Sequence, residues 1–192
     1  MGWKKWHSIL LKEYEEYLKK APKVSPSHKT DHVLRVWEKC KLLCEKLGGD
    51  MEVMVASVFL HDLGRHHGLA RHGEKSAELA KPILEKHGFP EDKIPLVLEA
   101  IVQHDPEFPR EKRKLLEAKI FNDADRIDAF GVIGVYRHVL FVNAGRMKLE
   151  EVVPFSKRRW KSLMLPESRK LAKADYEYIV DFFERLSKEF KR

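Results

Sequence analysis

The segment MEVMVASVFL, residues 51–60, is apolar on nearly every side. A helix that is apolar all round lies in the interior of a domain, so this segment predicts a central buried helix, with Asp50 as its N-cap. His61 and Asp62 follow at its end, and Gly64 stops it. Because polar groups in such a place are costly unless they are satisfied, the His-Asp pair indicates a metal site.

The rest of the chain also predicts helices. Apolar residues recur at helical spacing almost everywhere, whereas the alternating patterns of strands are scarce. We expect an all-α, single-domain helical bundle over residues 1–192, with a core at about 28–140 and residues 145–167 as a long connection or lid. The helices predicted around the central one are Trp3–Lys19, a second from the N-cap Ser27 to about Gly48, then Glu74–Lys86, Glu91–His104, a basic helix at 111–121, a long buried segment at 121–142, and a closing helix at 168–190.

Composition limits the class of protein. With 192 residues, 43% of them hydrophobic, the chain can bury a core of its own. The net charge of +7 favours an anionic partner such as a phosphorylated metabolite or a nucleic acid. The first 20 residues lack the apolar core of a signal peptide, and no stretch approaches the ~20 apolar residues of a membrane span. We expect a cytoplasmic protein with no membrane partner, and nothing indicates its oligomeric state.

A metal needs more ligands than one His-Asp pair. His32 lies upstream and Asp125 downstream, each in another predicted helix, so the four side chains can converge from three helices. Taken singly, each residue is typical of a hydrogen-bonded core position. The ordered set is more specific, and four ligands leave positions open for water or substrate.

Three motifs carry this set: DHVLRVW around His32, FLHDLGR around His61 and Asp62, and DADRIDAFG around Asp125. Together they resemble the HD superfamily of metal-dependent phosphohydrolases, over roughly residues 28–137. The resemblance implies an all-α fold, a divalent metal on these four residues with Asp62 also catalytic, and hydrolysis of a phosphoester or phosphoanhydride. Helix geometry allows only one aspartate of Asp123 and Asp125 to face the ion, and the resemblance selects Asp125.

A second ion is also conceivable. Some members of the superfamily place extra ligands in the interval that holds further histidines of this chain. The residues predicted to hold a second metal or to contact the substrate are His28, His72 and His104. Against a second ion, Asp105 stands where members with two metals often carry a histidine. His66 and His67 are predicted to be mostly solvated loop residues.

Three arginines follow the ligands closely and are predicted to bind substrate phosphate: Arg35, Arg65 and Arg126. Each can equally form an ordinary ion pair. Arg65 stands where nucleotidases of the superfamily often carry a proton-transferring glutamate, so the general base must be another group. Asp128, one turn after Asp125, is the predicted catalytic candidate beside His104 and the activated water itself, although a salt bridge explains Asp128 as well.

The ligand set suits Mn²⁺ best, with Fe²⁺, Co²⁺ and Ni²⁺ possible and Mg²⁺ a poorer match because imidazole is a weak ligand for it. The leading prediction is hydrolysis of a nucleotide or another small phosphorylated metabolite. One alternative is a sensor that binds metal and nucleotide without turnover. Another is a basic helical nucleic-acid-binding protein, suggested by Trp160 among the basic residues 157–170. Nucleic acid is the weaker partner, since charge runs are usually solvated faces.

Overall fold

A computed structural model describes residues 2–22, 24, 29–68, 71–106 and 108–190. These residues form nine α-helices and no strand, which confirms the predicted all-α fold. The chain divides into two compact units, the first ending at Asn122 and the second beginning at Asp123.

The first unit is built around α3. All residues from Val53 to Leu60 are buried, as the all-round apolar sequence predicts, and α3 packs against α1, α2 and α5. The side chain of Asp50 accepts hydrogen bonds from the amides of Glu52 and Val53, which confirms the predicted N-cap. The elements are α1 (Trp3–Lys20), α2 (Thr30–Leu47), α3 (Met51–Leu60), a 3₁₀ turn (Gly64–His67), α4 (Gly73–Lys86), α5 (Ile94–His104) and a second 3₁₀ turn (Arg110–Lys112).

Two helix ends show how the sequence sets these boundaries. Gly48 ends α2 with a φ of 82°, and Gly88 follows α4 with a φ of 64°, a region that other residues rarely adopt. At its start α2 begins at Thr30, whereas Ser27 was the predicted N-cap. Ser27 lies outside the described residues.

The second unit contains α7 (Gly131–Asn143), α8 (Leu149–Ser162) and α9 (Pro166–Glu189), while α6 (Leu116–Ile127) contributes residues to both units. Helix α9 packs against α7 and α8, and Phe130, Ile179 and Phe183 lie in the core between them.

Two predictions for this part of the chain are wrong in detail. The segment 145–167, predicted as a connection or lid, contains the 14-residue helix α8. Pro154 and the many charged residues of α8 hide its helical periodicity. The segment 121–142, predicted to be long and buried, is divided at Gly131, which has a φ of 63°. Its second part, α7, buries only Gly131, Gly134 and His138.

Within the described ranges, none of the helices has the length and the apolar character needed to cross a membrane.

Candidate metal centre

The Asp62 carboxylate is the centre of a cluster of buried histidines in the first unit. It follows α3, and its side chain is 1% exposed. On one side, Oδ2 lies 3.2 Å from Nε2 of His61 and 3.8 Å from Nε2 of His32. On the other side, Oδ1 lies 3.1 Å from Nε2 of His72. Three helical segments therefore aim imidazole nitrogens at one carboxylate.

The orientation of two rings is fixed by the backbone. Nδ1 of His61 donates to the carbonyl of Val58 at 2.7 Å, and Nδ1 of His104 donates to the carbonyl of Ile101. Both histidines lie at the C-terminal ends of helices, α3 and α5, where carbonyls accept such bonds. With Nδ1 protonated, Nε2 of each neutral ring carries a lone pair available to a metal.

The geometry divides the side chains into two ligand groups that share Asp62. The first group is His32, His61 and Asp62; the second is Asp62, His72 and His104. In each group the ligand atoms lie within 4.8 Å of one another. Ligands around one ion with bonds of about 2.1 Å stand roughly 3 to 3.5 Å apart, so these nitrogen and carboxylate donors fit a divalent transition metal with little rearrangement.

Aromatic packing encloses the cluster. The Phe121 ring lies 5.0 Å from the rings of both His61 and His104, stacked on the latter and edge-on to the former. The rings of His72 and His104 are also 5.0 Å apart. The histidines of the cluster are buried, and burial strengthens the electrostatic interactions between them and Asp62.

The second group depends on the junction of α4 and α5. Asp105 Oδ2 accepts hydrogen bonds from the amides of His72 at 3.0 Å and Gly73 at 3.2 Å. Asp105 stands where members of the superfamily with two metals often carry a histidine. In this chain its carboxylate instead holds the start of α4. Arg113, which the sequence did not single out, is buried and donates to the carbonyls of Gln103 and Asp105. Its place in a run of charged residues gave no signal for this role.

The histidines after the pair were predicted to be loop residues, and one of them is buried. His66 is 0% exposed, and its Nε2 lies 3.1 Å from the hydroxyl of Tyr14. Burial and the charge of Asp62 raise the pKa of Tyr14, so this hydroxyl keeps its proton. His67 is exposed and lies 2.9 Å from the hydroxyl of Tyr17. Both histidines thus contact α1.

The DADRID motif, residues 123–128, lies at the start of the second unit. Asp123 accepts the backbone amides of Met164 and Leu165 at 2.9 Å, which assigns this aspartate to the connection between α8 and α9. Asp125 is half-buried on the same helix, and its role as a ligand stays a prediction. Asp128 is buried and pairs with Arg137 at 3.0 Å. This pairing supports the salt-bridge interpretation of Asp128, and its catalytic role also stays a prediction.

The three arginines have different partners. Arg65 Nε donates to Asp62 Oδ1 at 2.9 Å, and its Nη2 lies 3.2 Å from Nε2 of His72. Arg35 donates to Asp31, one turn earlier on α2, at 2.7 Å. Arg126 donates to the Ser162 hydroxyl within the second unit at 2.9 Å. The structure thus brings Arg65 to the ligand groups. His28 lies outside the described residues.

The alternative nucleic-acid surface is weakened by the packing of its aromatic residue. Trp160 stacks on Tyr176 with ring centroids 4.4 Å apart, so its face is used inside the second unit. Lys157 pairs with Glu184 at 3.2 Å. One face of Trp160 is therefore not free to stack on a nucleic-acid base.

Comparison with known proteins gives a family match. The model of the HD domain family matches residues 30–129, which include His32, His61, Asp62, His72, His104 and Asp125. Curated protein sequences gave no match.

Solved structures with the same fold cover nearly the whole chain. A predicted HD superfamily hydrolase from an uncultured Thermotogales bacterium is 25% identical, with a TM-score of 0.69, over 94% of this chain and 91% of its own. An HD-superfamily hydrolase from Bacillus thuringiensis is 20% identical, with a TM-score of 0.75, over 98% of both chains. YpgQ of Bacillus subtilis, solved in complex with ADP, is 18% identical, with a TM-score of 0.71, over 98% of this chain and 97% of its own.

Proposed function

Because the chain belongs to the HD domain family, we propose that it is a metal-dependent phosphohydrolase acting in the cytoplasm on a nucleotide or another small phosphorylated metabolite. The observation that carries the proposal is the convergence of imidazole nitrogens on both oxygens of Asp62. A buried carboxylate with imidazole nitrogens beside both of its oxygens suits a divalent cation.

The first ligand group is the proposed principal metal site. His32, His61 and Asp62 supply two nitrogens and one oxygen, and Asp125 is the proposed fourth ligand. Mixed nitrogen and oxygen donors favour Mn²⁺, with Fe²⁺, Co²⁺ and Ni²⁺ as alternatives and Mg²⁺ a weaker one. When bound, such an ion polarises a phosphoryl oxygen and lowers the pKa of a coordinated water.

The chain's own side chains supply orientation and charge. The backbone bond at Nδ1 keeps the His61 ring aimed at Asp62, so the ligand geometry exists before substrate arrives. Nε2 of His104 lies 3.1 Å from Nε2 of His72 in the second ligand group, and His104 is a proposed proton acceptor, with Asp128 as the other candidate. The proposed phosphate-binding residues are Arg35, Arg65 and Arg126.

A nucleotide substrate is supported by two observations. The net charge of +7 attracts phosphorylated molecules. In addition, YpgQ of Bacillus subtilis shares the fold and was solved in complex with ADP. A panel of nucleotides that differ in the base, the sugar and the number of phosphates identifies the substrate.

The test is phosphate release from a panel of nucleotides and simple phosphoesters, measured with Mn²⁺, Ni²⁺, Co²⁺ and Mg²⁺ for the wild type and for Asp62→Ala. We expect turnover of at least one nucleotide in the wild type and its loss in Asp62→Ala, which removes the carboxylate from both groups. Asp92→Ala, at an exposed aspartate far along the chain, is the matched control and should retain the wild-type rate.

Equal activity in the wild type and in Asp62→Ala, with metal supplied, contradicts the proposal. Nucleotide binding measured by calorimetry without any product would instead support the sensor alternative.

A further inference from the structure

Arg65 occupies the side of Asp62 that a second metal ion would need. Its Nε lies 2.9 Å from Asp62 Oδ1, and its Nη2 lies 3.2 Å from Nε2 of His72. Asp62 and His72, the two residues that Arg65 contacts, belong to the second ligand group together with His104. The guanidinium therefore contacts the donor atoms that a second cation would use.

The backbone holds Arg65 in this place. The Arg65 amide donates to the Asp62 carbonyl at 3.0 Å, so the 3₁₀ turn sets both residues on one side. Gly64 presses against the start of α4: a Cβ added there would lie 2.6 Å from the His72 carbonyl oxygen and 2.8 Å from the Ser76 nitrogen. The absence of a side chain at Gly64 thus allows Arg65 and His72 to approach each other.

Helix α1 fixes the same turn from another direction. The Tyr17 hydroxyl donates to the Leu63 carbonyl at 2.8 Å, directly before the turn. Tyr14 contacts His66, directly after Arg65. The Arg65 side chain itself is 27% exposed, so it lies at the edge of the cluster with its backbone anchored on both flanks.

The positive charge of the Arg65 guanidinium opposes the binding of a second cation at this place. The second group contains one carboxylate oxygen and two imidazoles, and that oxygen already receives the guanidinium. A divalent cation there would stand within a few ångströms of a permanent positive charge, at low dielectric, and would have to share the Asp62 carboxylate with it.

We propose that Arg65 serves as a built-in cation that fills the second ligand group and limits the protein to one metal ion per chain, held by the first group. The inference rests on the proposed function, because it requires that the first group binds metal. It assigns Arg65 a role in metal stoichiometry, and it makes His72 a contact of Arg65 instead of a metal ligand.

The test is the number of Mn²⁺ ions per chain, measured by equilibrium dialysis with metal analysis, together with electron paramagnetic resonance. We expect the wild type to bind one ion with the spectrum of an isolated Mn²⁺. Arg65→Ala should bind two, with a spectrum showing magnetic coupling between ions that share Asp62. Adding His72→Ala to Arg65→Ala should return the number to one.

Two further variants serve as controls for folding and for the loss of an arginine elsewhere. Arg65→Gln, which removes the charge but keeps most of the side chain, should also bind two ions, and it replaces Arg65→Ala if that protein does not fold. Arg35→Ala removes an arginine three residues from His32 that pairs with Asp31, and it should still bind one.

Two ions in the wild type, or one ion in both Arg65 variants, would overturn the inference while leaving the proposed function standing. A wild type that binds no Mn²⁺ would reject the proposed function and this inference together.

Discussion

His61 in the first unit and His138 in the second are equally buried, yet their surroundings differ. In both, Nδ1 donates to a backbone carbonyl at 2.7 Å, that of Val58 or Gly134. Nε2 of His61 then meets Asp62. Nε2 of His138 has no hydrogen-bond partner among the described residues, and its ring lies near the rings of three phenylalanines: Phe141, Phe155 and Phe183.

The difference shows what makes a metal site here. Burial and a fixed ring orientation are common to both histidines, so neither property identifies a ligand. The first unit adds a shared carboxylate and further imidazoles, whereas the second unit leaves one nitrogen in an apolar environment. An unsatisfied buried polar group of this kind costs about 1–3 kcal/mol, and His138 is therefore expected to matter for stability rather than for metal.

The largest expected effect comes from replacing the two histidines in parallel. His61→Ala should weaken Mn²⁺ binding by more than about 100-fold, since losing even a group that only supports a ligand costs about 10- to 100-fold. His138→Ala should leave the affinity unchanged. Isothermal titration calorimetry measures both, and equal losses in the two variants would remove the distinction between the units.

The turn after Asp62 gives the next largest effect. Gly64→Ala should destabilise the protein by about 2–3 kcal/mol and weaken Mn²⁺ binding, because the new Cβ would displace the start of α4. Gly68→Ala is the matched control: its φ is 78°, but the added Cβ would meet nothing within 4 Å.

Gly68→Ala should therefore cost only about 1 kcal/mol of backbone strain and leave metal affinity intact. Urea unfolding and Mn²⁺ titration of both variants test the pair. A Gly64→Ala protein with unchanged stability and affinity would show that this close contact is unimportant.

These two variants also show what the sequence can and cannot predict. The apolar segment before His61 predicts a buried helix because no other environment suits it. The first ligand group is predicted by the resemblance of the motifs to the HD superfamily. The close approach of Gly64 to His72 is different. It depends on how α4 packs against the turn, and the sequence does not show which residue packs against a given glycine.

Roles assigned to single charged residues were the least predictable. Asp105 was compared with a metal ligand but holds the start of α4, and Asp128 pairs with Arg137. A carboxylate can satisfy a backbone amide, a guanidinium or a metal, and only the packed structure shows which is near. For the same reason Arg113 was missed, since the fold alone brings its carbonyl partners, such as that of Gln103, close to it.

A smaller effect is expected from pH. Burial lowers the pKa of His138 below its ordinary value of 6.5, with the nearby charges of Arg159 and Arg137 acting in the same direction. As the pH falls, His138 is therefore protonated at a higher pH in the unfolded chain than in the folded protein. Stability should fall as the pH drops below about 6.5, by at most about 1.4 kcal/mol for each pH unit.

His138→Leu should remove this part of the pH dependence. The comparison is the difference in the free energy of unfolding between wild type and variant at pH 8 and at pH 5.5, in which the titration of the other histidines cancels. A difference that does not change with pH would show that His138 is not the group responsible.

The smallest effect is expected at the surface of the first unit. Arg35 and Asp31 form a partly exposed pair one turn apart, with side chains 26% and 68% exposed. Arg35→Ala should cost only about 0.5 kcal/mol in thermal unfolding, because such pairs are weakened by solvent. A loss of several kcal/mol would mean that Arg35 supports the buried cluster directly.

The central claim is that a divalent metal binds at the Asp62 carboxylate. Anomalous X-ray scattering at the manganese absorption edge, from crystals grown with Mn²⁺, tests it most directly. The account predicts one peak per chain, between His32, His61 and Asp62. The refined electron density around that peak shows whether Asp125 is the fourth ligand. A protein crystallised with ample Mn²⁺ that shows no peak between these side chains, or shows its peak elsewhere, would contradict the account.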